Sequence, residues 1–214
     1  MRLFNIGLIR VLTTDDKDLL NIHGKILQGN FPFEVESRCI PDQSTGVYSE
    51  ETHLKAVPKV LGLAIEMEKE GKEGIIISCA ADPGIEEAKQ VLGIPVVGAG
   101  TAVASIALGF SQKVGVLNLT ESTPEAMKQV LSKYLIAEET VSTKNTLTLM
   151  TNEGMESIIK SSLKLKKSGV EVIALACTGM STMNAASKIK DRIDVYVADP
   201  VIAEGMIMWN LLNF

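Results

Sequence analysis

Two cysteines carry the chemistry that this sequence of 214 residues suggests. Cys79 and Cys177 each follow a short apolar run, residues 75–77 and 173–175, and each precedes a segment that can start a helix. In an α/β protein this position is the carboxyl end of a buried parallel strand, the edge at which such sheets bind ligands. The free N–H groups of a following helix stabilise a thiolate and lower the pKa of the thiol. We therefore expect both thiols at a ligand-binding edge.

A pair of equivalent thiols suits a racemase that uses two bases. One thiolate removes the α-proton from one face of a substrate carbon, and the opposite thiol delivers a proton to the other face. Thiols can be tuned towards the working pH, where general acid–base catalysis is most efficient. Buried cysteine is also common as a small hydrophobic residue, and either cysteine alone fits that interpretation. The matched positions of Cys79 and Cys177 favour chemistry, whereas Cys39 has no counterpart and is assigned to packing.

The elements that must position these thiols follow an alternating pattern. Short β-type runs alternate with longer helical patterns, which predicts an α/β protein with mostly parallel strands. Strands are predicted at residues 3–9, 33–40 and 74–78, and those at 114–119 and 170–176 repeat the first and third. We expect two similar lobes, each with a mostly parallel sheet of four to five strands flanked by helices. A pseudo-twofold axis would relate the lobes, with the active site in the cleft between them.

Capping residues locate the helices between these strands. The residues predicted to cap helices are Thr14 or Asp15, Ser49, Asp82, and Ser122 or Thr123. In the second helix Leu54, Val57, Leu61, Ala64 and Ile65 recur at helical spacing, which predicts the buried face. Pro58 is expected to kink or delay that helix because proline lacks the backbone N–H.

Charge and composition exclude several classes of partner. The net charge is −5 and only 4% of the residues are aromatic, which argues against nucleic acid and against an anionic membrane surface. Residues 90–112 carry no charge, but their glycines and proline predict a strand and a helix rather than a bilayer span. His23 and His53 lie far apart in helical patterns, and we expect both on helix surfaces rather than as metal ligands.

The cellular setting follows from the N-terminus and the cysteines. Residues 3–9 are interrupted by Asn5 and followed by Arg10, which is not the pattern of a signal peptide. Three widely spaced cysteines without a CxxC motif predict free thiols in a reducing compartment. We expect a cytoplasmic protein that takes a small-molecule substrate and forms a homo-oligomer, with neither nucleic acid nor a membrane as partner.

Three strings make the chain resemble the aspartate/glutamate/hydantoin racemase superfamily, and its hydantoin racemase branch most. These strings are ISCAADPG at residues 77–84, PVVGAG at 95–100 and ACTGM at 176–180. The resemblance runs in the same order over essentially the whole chain. It implies a racemase or epimerase that needs no cofactor, neither pyridoxal phosphate nor a metal. It also implies that the C-terminal helix returns to the first lobe, so that residues 1–97 with 201–214 form one lobe and residues 98–200 the other.

The sequence departs from the family pattern beside the first strand. Hydantoin racemases typically carry Asn-Pro-Asn-Thr there, with an asparagine facing the substrate, whereas this chain has Arg10 and the residues that follow it, RVLT. Arg10 could form a fork to a substrate carboxylate, which favours an amino acid or an N-carbamoyl derivative over a neutral hydantoin. The alternative is an ion pair with Asp15 or Asp16.

Further substrate contacts are expected from loops at the same edge. Ala80 and Ala81 replace the family's glycine and aspartate, so this loop offers backbone N–H groups and loses a side-chain acceptor. The remaining candidates are Val47, Tyr48, Thr120, Thr178 and Gly179. For the polar residues among them, helix capping is the alternative role, and Ser122 and Thr123 are expected to be caps rather than substrate contacts.

Three other functions fit parts of the pattern. A decarboxylase of the superfamily needs only one of the two cysteines, and a maleate-type cis–trans isomerase would use a cysteine as nucleophile. A non-catalytic protein that binds a small ligand is a third alternative, since two-lobed α/β folds also serve as sensors. Such a protein would bind ligand normally after either cysteine is replaced by serine.

Overall fold

The computed structural model describes residues 2–143 and 146–214, and the side chains of residues 146 and 147 are outside that description. Residues 1, 144 and 145, which the predicted lobes include, lie outside the described residues. The elements of the first half are β1 (Phe4–Arg10), α1 (Lys17–Asn30), β2 (Phe33–Cys39), α2 (Glu50–Lys69), β3 (Gly74–Ile77), α3 (Ile85–Val91), β4 (Val96–Gly98) and α4 (Ala99–Phe110). The second half contains β5 (Val114–Asn118), α5 (Glu125–Leu131), a 3-10 turn (Ser132–Tyr134), β6 (Leu135–Thr140), α6 (Thr146–Leu149), α7 (Asn152–Lys167), β7 (Val172–Leu175), α8 (Thr178–Thr182), α9 (Ala185–Lys190), β8 (Tyr196–Ala198) and α10 (Pro200–Asn213).

The eight strands form two parallel sheets of four strands with the same order. The first sheet runs β2-β1-β3-β4 and the second β6-β5-β7-β8. The α/β class with two mostly parallel sheets is therefore confirmed, with four strands in each. The registers also correspond, because Ile9 lies opposite Ile77 in the first sheet and Leu117 opposite Leu175 in the second. The central strands β3 and β7 are buried at every residue, as expected of strands covered on both faces.

The helix that follows the last strand of each sheet packs on the other sheet. Helix α4 comes after β4 of the first sheet but contacts β7 and β8, whereas α10 comes after β8 and contacts β3 and β4. The two helices also contact each other, and one continuous apolar core includes residues of both sheets and both helices. At Gly74 a Cβ atom would meet the thioether of Met208 on α10, so the glycine lets this side chain lie directly on β3. This exchange couples the two sheets through a shared core. The division at residues 97/98 and 200/201 stays a prediction.

Separate cores cover the outer faces of the sheets. Helices α2 and α3 pack on the first sheet, and α7, α8 and α9 pack on the second. The buried face of α2 consists of Ala56, Val60, Ala64 and Met67. The predicted face was therefore partly wrong, since Leu54 is 63% exposed.

Pro58 lies inside α2 without delaying it, because the helix already begins at Glu50. The carbonyl that a residue with an N–H would have bonded at this point belongs to the exposed Leu54, where water can satisfy it. Ser49 caps α2 as predicted, and its hydroxyl forms a capping box with Thr52.

The predicted caps of two other helices, α1 and α5, are wrong. Asp16, rather than Thr14 or Asp15, caps α1 and accepts from two backbone N–H groups. Pro124 occupies the N-cap position of α5 and makes no side-chain bond. Thr123 is instead turned inward, where its hydroxyl pairs with the Asn118 side chain at the end of β5. Because the Thr123 hydroxyl is bonded to this buried amide, it does not cap the helix. Ser122 is exposed, and its carbonyl accepts a hydrogen bond from the Thr120 hydroxyl.

Residues 90–112 are divided among the end of α3, β4 and α4, as their glycines and proline predict. Among the helices of the described residues, none combines the length and apolar character needed to cross a bilayer.

Candidate functional site

Cys79 and Cys177 occupy equivalent positions in the two sheets. Each cysteine lies two residues beyond the last registered pair of its central strand, Ile9 with Ile77 or Leu117 with Leu175. The residue between is anchored identically: the Ser78 N–H donates to the Ile9 carbonyl and the Ala176 N–H to the Leu117 carbonyl, both at 3.0 Å. The internal repeat read from the sequence thus holds at the level of single hydrogen bonds. All three cysteines are free thiols.

The Cys79 thiol lies in a buried and acidic environment. Its residue is 8% exposed. Burial raises the pKa of the thiol to about 12, the N–H of Ala81 opposes this rise, and the charges of Asp82, Cys177 and Glu204 add to it. Cys79 is therefore held as the neutral thiol, the form that can donate a proton.

The Cys177 thiol lies at the start of a helix and beside a cation. Cys177 is the N-cap residue of α8 and is partly exposed. Burial raises its pKa above the usual range, whereas the N–H groups of Gly179 and Met180 and the charge of Arg10 lower it. The thiolate-stabilising effect expected of a helix terminus is present at Cys177 but not at Cys79, where the opposing N–H is that of Ala81 in the loop before α3, and in both sites burial outweighs the N–H groups.

Arg10, at the end of β1, lies within electrostatic reach of all three thiols and of Glu204. Its residue is only 3% exposed, and burial lowers its pKa to about 10, so the guanidinium stays charged at neutral pH. Nη1 donates to the carbonyls of Leu19 and Leu20 in α1 at 2.7 and 3.3 Å. Among residues 2–143 and 146–214 no ion pair joins Arg10 to Asp15 or Asp16. No hydrogen bond described there engages Nε or Nη2 either, so these two donors of the guanidinium have no described protein acceptor.

The loop after Cys79 is held by the start of α4. Asp82 accepts from the N–H groups of Gly100 and Thr101, both at 2.7 Å, so it caps α4 and not the helix that directly follows it. Gly84, with a positive φ, is the N-cap residue of α3. A Cβ atom at Gly100 would overlap the Ala80 carbonyl and one at Gly98 would overlap the Asp82 carboxyl. The glycines of the PVVGAG string therefore let the Cys79 loop lie directly on the helix.

The other predicted substrate contacts are distributed around this edge. Ala80 is buried and Ala81 is partly exposed beside Cys79. Thr178 and Gly179 are buried at the start of α8, and the Thr178 hydroxyl donates across the lobes to the Ser78 carbonyl at 3.3 Å. Val47 packs on the outer core of the first sheet, Tyr48 is 57% exposed, and Thr120 donates to the Ser122 carbonyl. Their roles in binding stay predictions.

A buried polar chain behind the cysteines was not expected. His23 is fully buried, so its predicted place on a helix surface was wrong. Its Nδ1 lies 2.9 Å from the Ser78 hydroxyl and its Nε2 3.0 Å from the Thr182 hydroxyl. Ser78 in turn donates to Oε1 of Glu204 at 2.9 Å. Glu204 is the one charged residue of α10, and a lone acid in so apolar a helix is the sequence signal that could have indicated a buried partner.

Metal and cavity geometry add two observations. Among the described residues, no group of three or more His, Cys, Asp and Glu side chains is placed to hold a metal ion. A cavity of about 530 Å3 lies beside α7, α8 and α9 and is lined by Thr182 and Met183 but by neither Cys79 nor Cys177. A single cavity shared by both sulfurs and Arg10 stays a prediction.

Comparisons with known proteins agree with this architecture. The sequence model of a family described as Asp/Glu/Hydantoin racemase matches residues 27–204. A hydantoin racemase of Rhizobium meliloti is 25% identical over 156 residues, which cover 69% of this chain and 64% of that protein. The match spans less than two thirds of the curated relatives' length.

Solved structures share the fold over nearly the whole chain. An allantoin racemase from Klebsiella pneumoniae superposes with a TM-score of 0.86 at 20% identity, covering 98% of this chain and 87% of that one. The maleate isomerase Iso from Pseudomonas putida S16 gives a TM-score of 0.72 at 14% identity, covering 100% and 94%. At these identities the likeness establishes the two-lobed fold and leaves the substrate open.

Proposed function

The chain belongs to the Asp/Glu/hydantoin racemase family, and from that premise we propose that it is a cofactor-independent racemase or epimerase that uses Cys79 and Cys177 as its two bases. The substrate carries its stereocentre next to a carbonyl group, as hydantoins, amino acids and their derivatives do. The observation that carries the proposal is the equivalent placement of the two thiols beyond β3 and β7, with Arg10 within electrostatic reach of both.

The proposed reaction moves one proton off the substrate and one on. The Cys177 thiolate takes the α-proton, and the electron pair passes to the adjacent carbonyl as an enolate. The Cys79 thiol then donates its proton to the opposite face of the same carbon. The two sulfurs have now exchanged protonation states, so turnover of the other enantiomer, or proton exchange with water, restores the first state.

Arg10 supports an anionic substrate over a neutral one. Of the charges that hold up the pKa of Arg10, that of Glu204 has the largest effect, and burial raises the pKa of the Glu204 carboxyl well above its usual range. Among the described residues the buried guanidinium forms no ion pair, and a substrate carboxylate or a thiolate would supply a counter-charge at close range. We therefore propose an amino acid or an N-carbamoyl derivative before a neutral hydantoin ring.

Deuterium exchange tests the proposal directly. Each enantiomer of a panel of hydantoins, N-carbamoyl amino acids and free amino acids is incubated with the protein in deuterated water, and NMR follows the α-proton. Loss of the α-proton signal together with appearance of the other enantiomer is the expected result. Well-folded protein that exchanges no member of the panel would count against racemisation.

The same experiment separates the alternatives. Release of CO2, with a deuteron taking the place of the lost carboxylate, would indicate a decarboxylase, and a covalent adduct on one cysteine would indicate a nucleophilic isomerase. Tight binding without turnover, unchanged in Cys79→Ser and Cys177→Ser, would indicate a ligand-binding protein. The homo-oligomeric state and the cytoplasmic location stay predictions.

A further inference from the structure

A buried hydrogen-bonded bridge joins the two cysteine sites from behind. Ser78 is the residue before Cys79, and Thr182 ends the five-residue helix α8 whose N-cap is Cys177. His23 of α1 lies between them and bonds both hydroxyls, at 2.9 Å from Nδ1 and 3.0 Å from Nε2. The bridge therefore connects the end of the central strand in the first sheet with the helix that carries the second thiol.

The direction of the hydrogen bonds in the bridge is fixed at one end. Ser78 gives its proton to Oε1 of Glu204, so the Ser78 oxygen accepts from Nδ1–H of His23. With Nδ1 as the donor, the neutral ring presents Nε2 as an acceptor to the Thr182 hydroxyl, and the Thr178 backbone also contacts the ring. Burial and the charge of Arg10 lower the pKa of His23 well below its usual range, which favours the neutral ring that this network needs. Both ring nitrogens are thus satisfied in a fully buried position.

We propose that His23 is a positioning residue that sets the separation and orientation of Cys177 relative to Cys79. Both sulfurs must lie within proton-transfer distance of one substrate carbon, on opposite faces. A small displacement of either sulfur therefore lowers the reaction rate strongly. An imidazole is rigid and bonds at opposite edges of its ring, so it fixes the distance between the two hydroxyls. The Thr178 hydroxyl makes a further bond between the same two segments, at 3.3 Å to the Ser78 carbonyl.

Thr182→Val tests the bridge with little change of shape. Valine keeps the volume of threonine and removes only the hydroxyl that bonds Nε2 of His23. We expect kcat to fall at least about tenfold while KM changes by less than about twofold, because the substrate contacts remain and the alignment of the thiols is lost. Ser162→Ala is the matched control, since it also removes a buried hydroxyl, one that donates to Ile158 within α7. The control is expected to keep the wild-type kcat.

Replacement of His23 itself gives an independent measure. A glutamine can bond both hydroxyls through its amide, whereas a leucine bonds neither, so His23→Gln should recover at least about fivefold in kcat over His23→Leu. Adding Thr182→Val to His23→Leu should cost little more, because the bond is already lost. Equal kcat values for the glutamine and leucine variants, or additive losses in the double variant, would overturn the proposal.

Thiol reactivity separates this inference from the proposed function. The predicted effect on kcat rests on the proposed function, whereas the predicted effect of the bridge on the positions of the thiols does not. Alkylation of Cys79 by iodoacetamide, followed by mass spectrometry, should change at least about threefold in Thr182→Val, although Thr182 belongs to the opposite site. The Ser162→Ala control should alkylate like the wild type. If the wild type exchanges no substrate, the proposed function fails and the alkylation rates still decide on the bridge; an unchanged Cys79 rate would refute it.

Discussion

The Cys79 site and the Cys177 site have the same backbone arrangement but differ in the charged groups around the thiol. In both, the residue before the cysteine bonds the neighbouring strand at 3.0 Å, and the cysteine follows two residues after the last registered strand pair. Around Cys79 the nearby charged groups are the acids Asp82 and Glu204, whereas Cys177 has two helix N–H groups and the Arg10 cation. The two halves of the repeat therefore place their thiols equivalently, whereas the surroundings shift the pKa values of the two thiols differently.

The strands next to the two sites show where this difference originates. Arg10 of β1 and Asn118 of β5 are equivalent, since each follows the strand residue that pairs with β3 or β7 and each carbonyl accepts from the adjoining strand's end. Asn118 is neutral and is engaged by Thr123, whereas Arg10 brings a charge. A single cation thus serves both thiols, and it lowers the pKa of Cys177. In the proposed mechanism, this difference makes Cys177 the readier base and Cys79 the readier acid.

Replacing each cysteine in turn should have the largest effect. Cys79→Ser and Cys177→Ser are each expected to lower racemisation by about 10²–10⁴-fold, the typical loss of one acid–base group. Each variant keeps one base, so each should still exchange the α-proton of only one enantiomer, and the two variants should prefer opposite enantiomers. Exchange of both enantiomers by either variant, measured by NMR in deuterated water, would show that one sulfur suffices.

Removing the shared cation should have the next largest effect. Arg10→Met is expected to lower kcat/KM for carboxylate substrates by about 10- to 100-fold, because a charged hydrogen bond contributes about 1.5–3 kcal/mol. It should also move the rising limb of the pH–rate profile to higher pH, since Arg10 lowers the pKa of Cys177. Arg10→Lys keeps the charge and should retain the position of that limb. A profile unchanged in Arg10→Met would place the guanidinium outside the electrostatics of the site.

The contact between the Cys79 loop and α4 can be disrupted by a substitution that leaves both cysteines in place. Gly100→Ala places a methyl group on the Ala80 carbonyl and is expected to destabilise the protein by about 1–3 kcal/mol in urea unfolding. Gly109→Ala is the control on the same helix, since a Cβ atom there meets nothing within 4 Å, and it should stabilise by up to about 1 kcal/mol. Similar effects of the two substitutions would contradict the close approach at Gly100.

The smallest predicted effect is a difference in how two thiols of the unmodified protein titrate. Burial raises both pKa values, but at Cys177 the N–H groups of Gly179 and Met180 and the charge of Arg10 oppose the rise, whereas at Cys79 the charges of Asp82 and Glu204 add to it. As pH rises, the thiolate of Cys177 should form first, so its alkylation rate should begin to climb at lower pH than that of Cys79. Peptide mass spectrometry after brief iodoacetamide treatment measures both rates in one sample. A rise of Cys79 before Cys177 would reverse the assigned roles.

The sequence could predict the sheets and the thiol positions because both depend on local patterns. Short β-branched apolar runs such as residues 75–77 are typical of central strands in a covered sheet, and Cys79, two residues further on, is then expected at its carboxyl edge. Ser49 is an equally local signal, and it caps α2 as predicted.

Contacts between distant segments were beyond such patterns. His23 looks like a polar residue on an amphipathic helix until α8 and Ser78 are placed against it, and Asp82 caps a helix that begins after an intervening helix and strand. The sequence left two alternatives for Arg10, a substrate carboxylate or an ion pair with a nearby aspartate. In the structure its guanidinium donates instead to backbone carbonyls of α1. In each case the deciding partner is set by tertiary packing and not by spacing along the chain.

The exchange of α4 and α10 between the sheets has a consequence for protein synthesis. A ribosome makes all four strands of the first sheet well before it makes α10, which covers β3 and β4 and carries Glu204. The nascent N-terminal half must therefore wait, with one sheet face uncovered, until translation has passed the last strand. The Ser78 hydroxyl gains its carboxyl acceptor only at that late step, so a truncated translation product would hold both cysteines and still lack the completed network behind them.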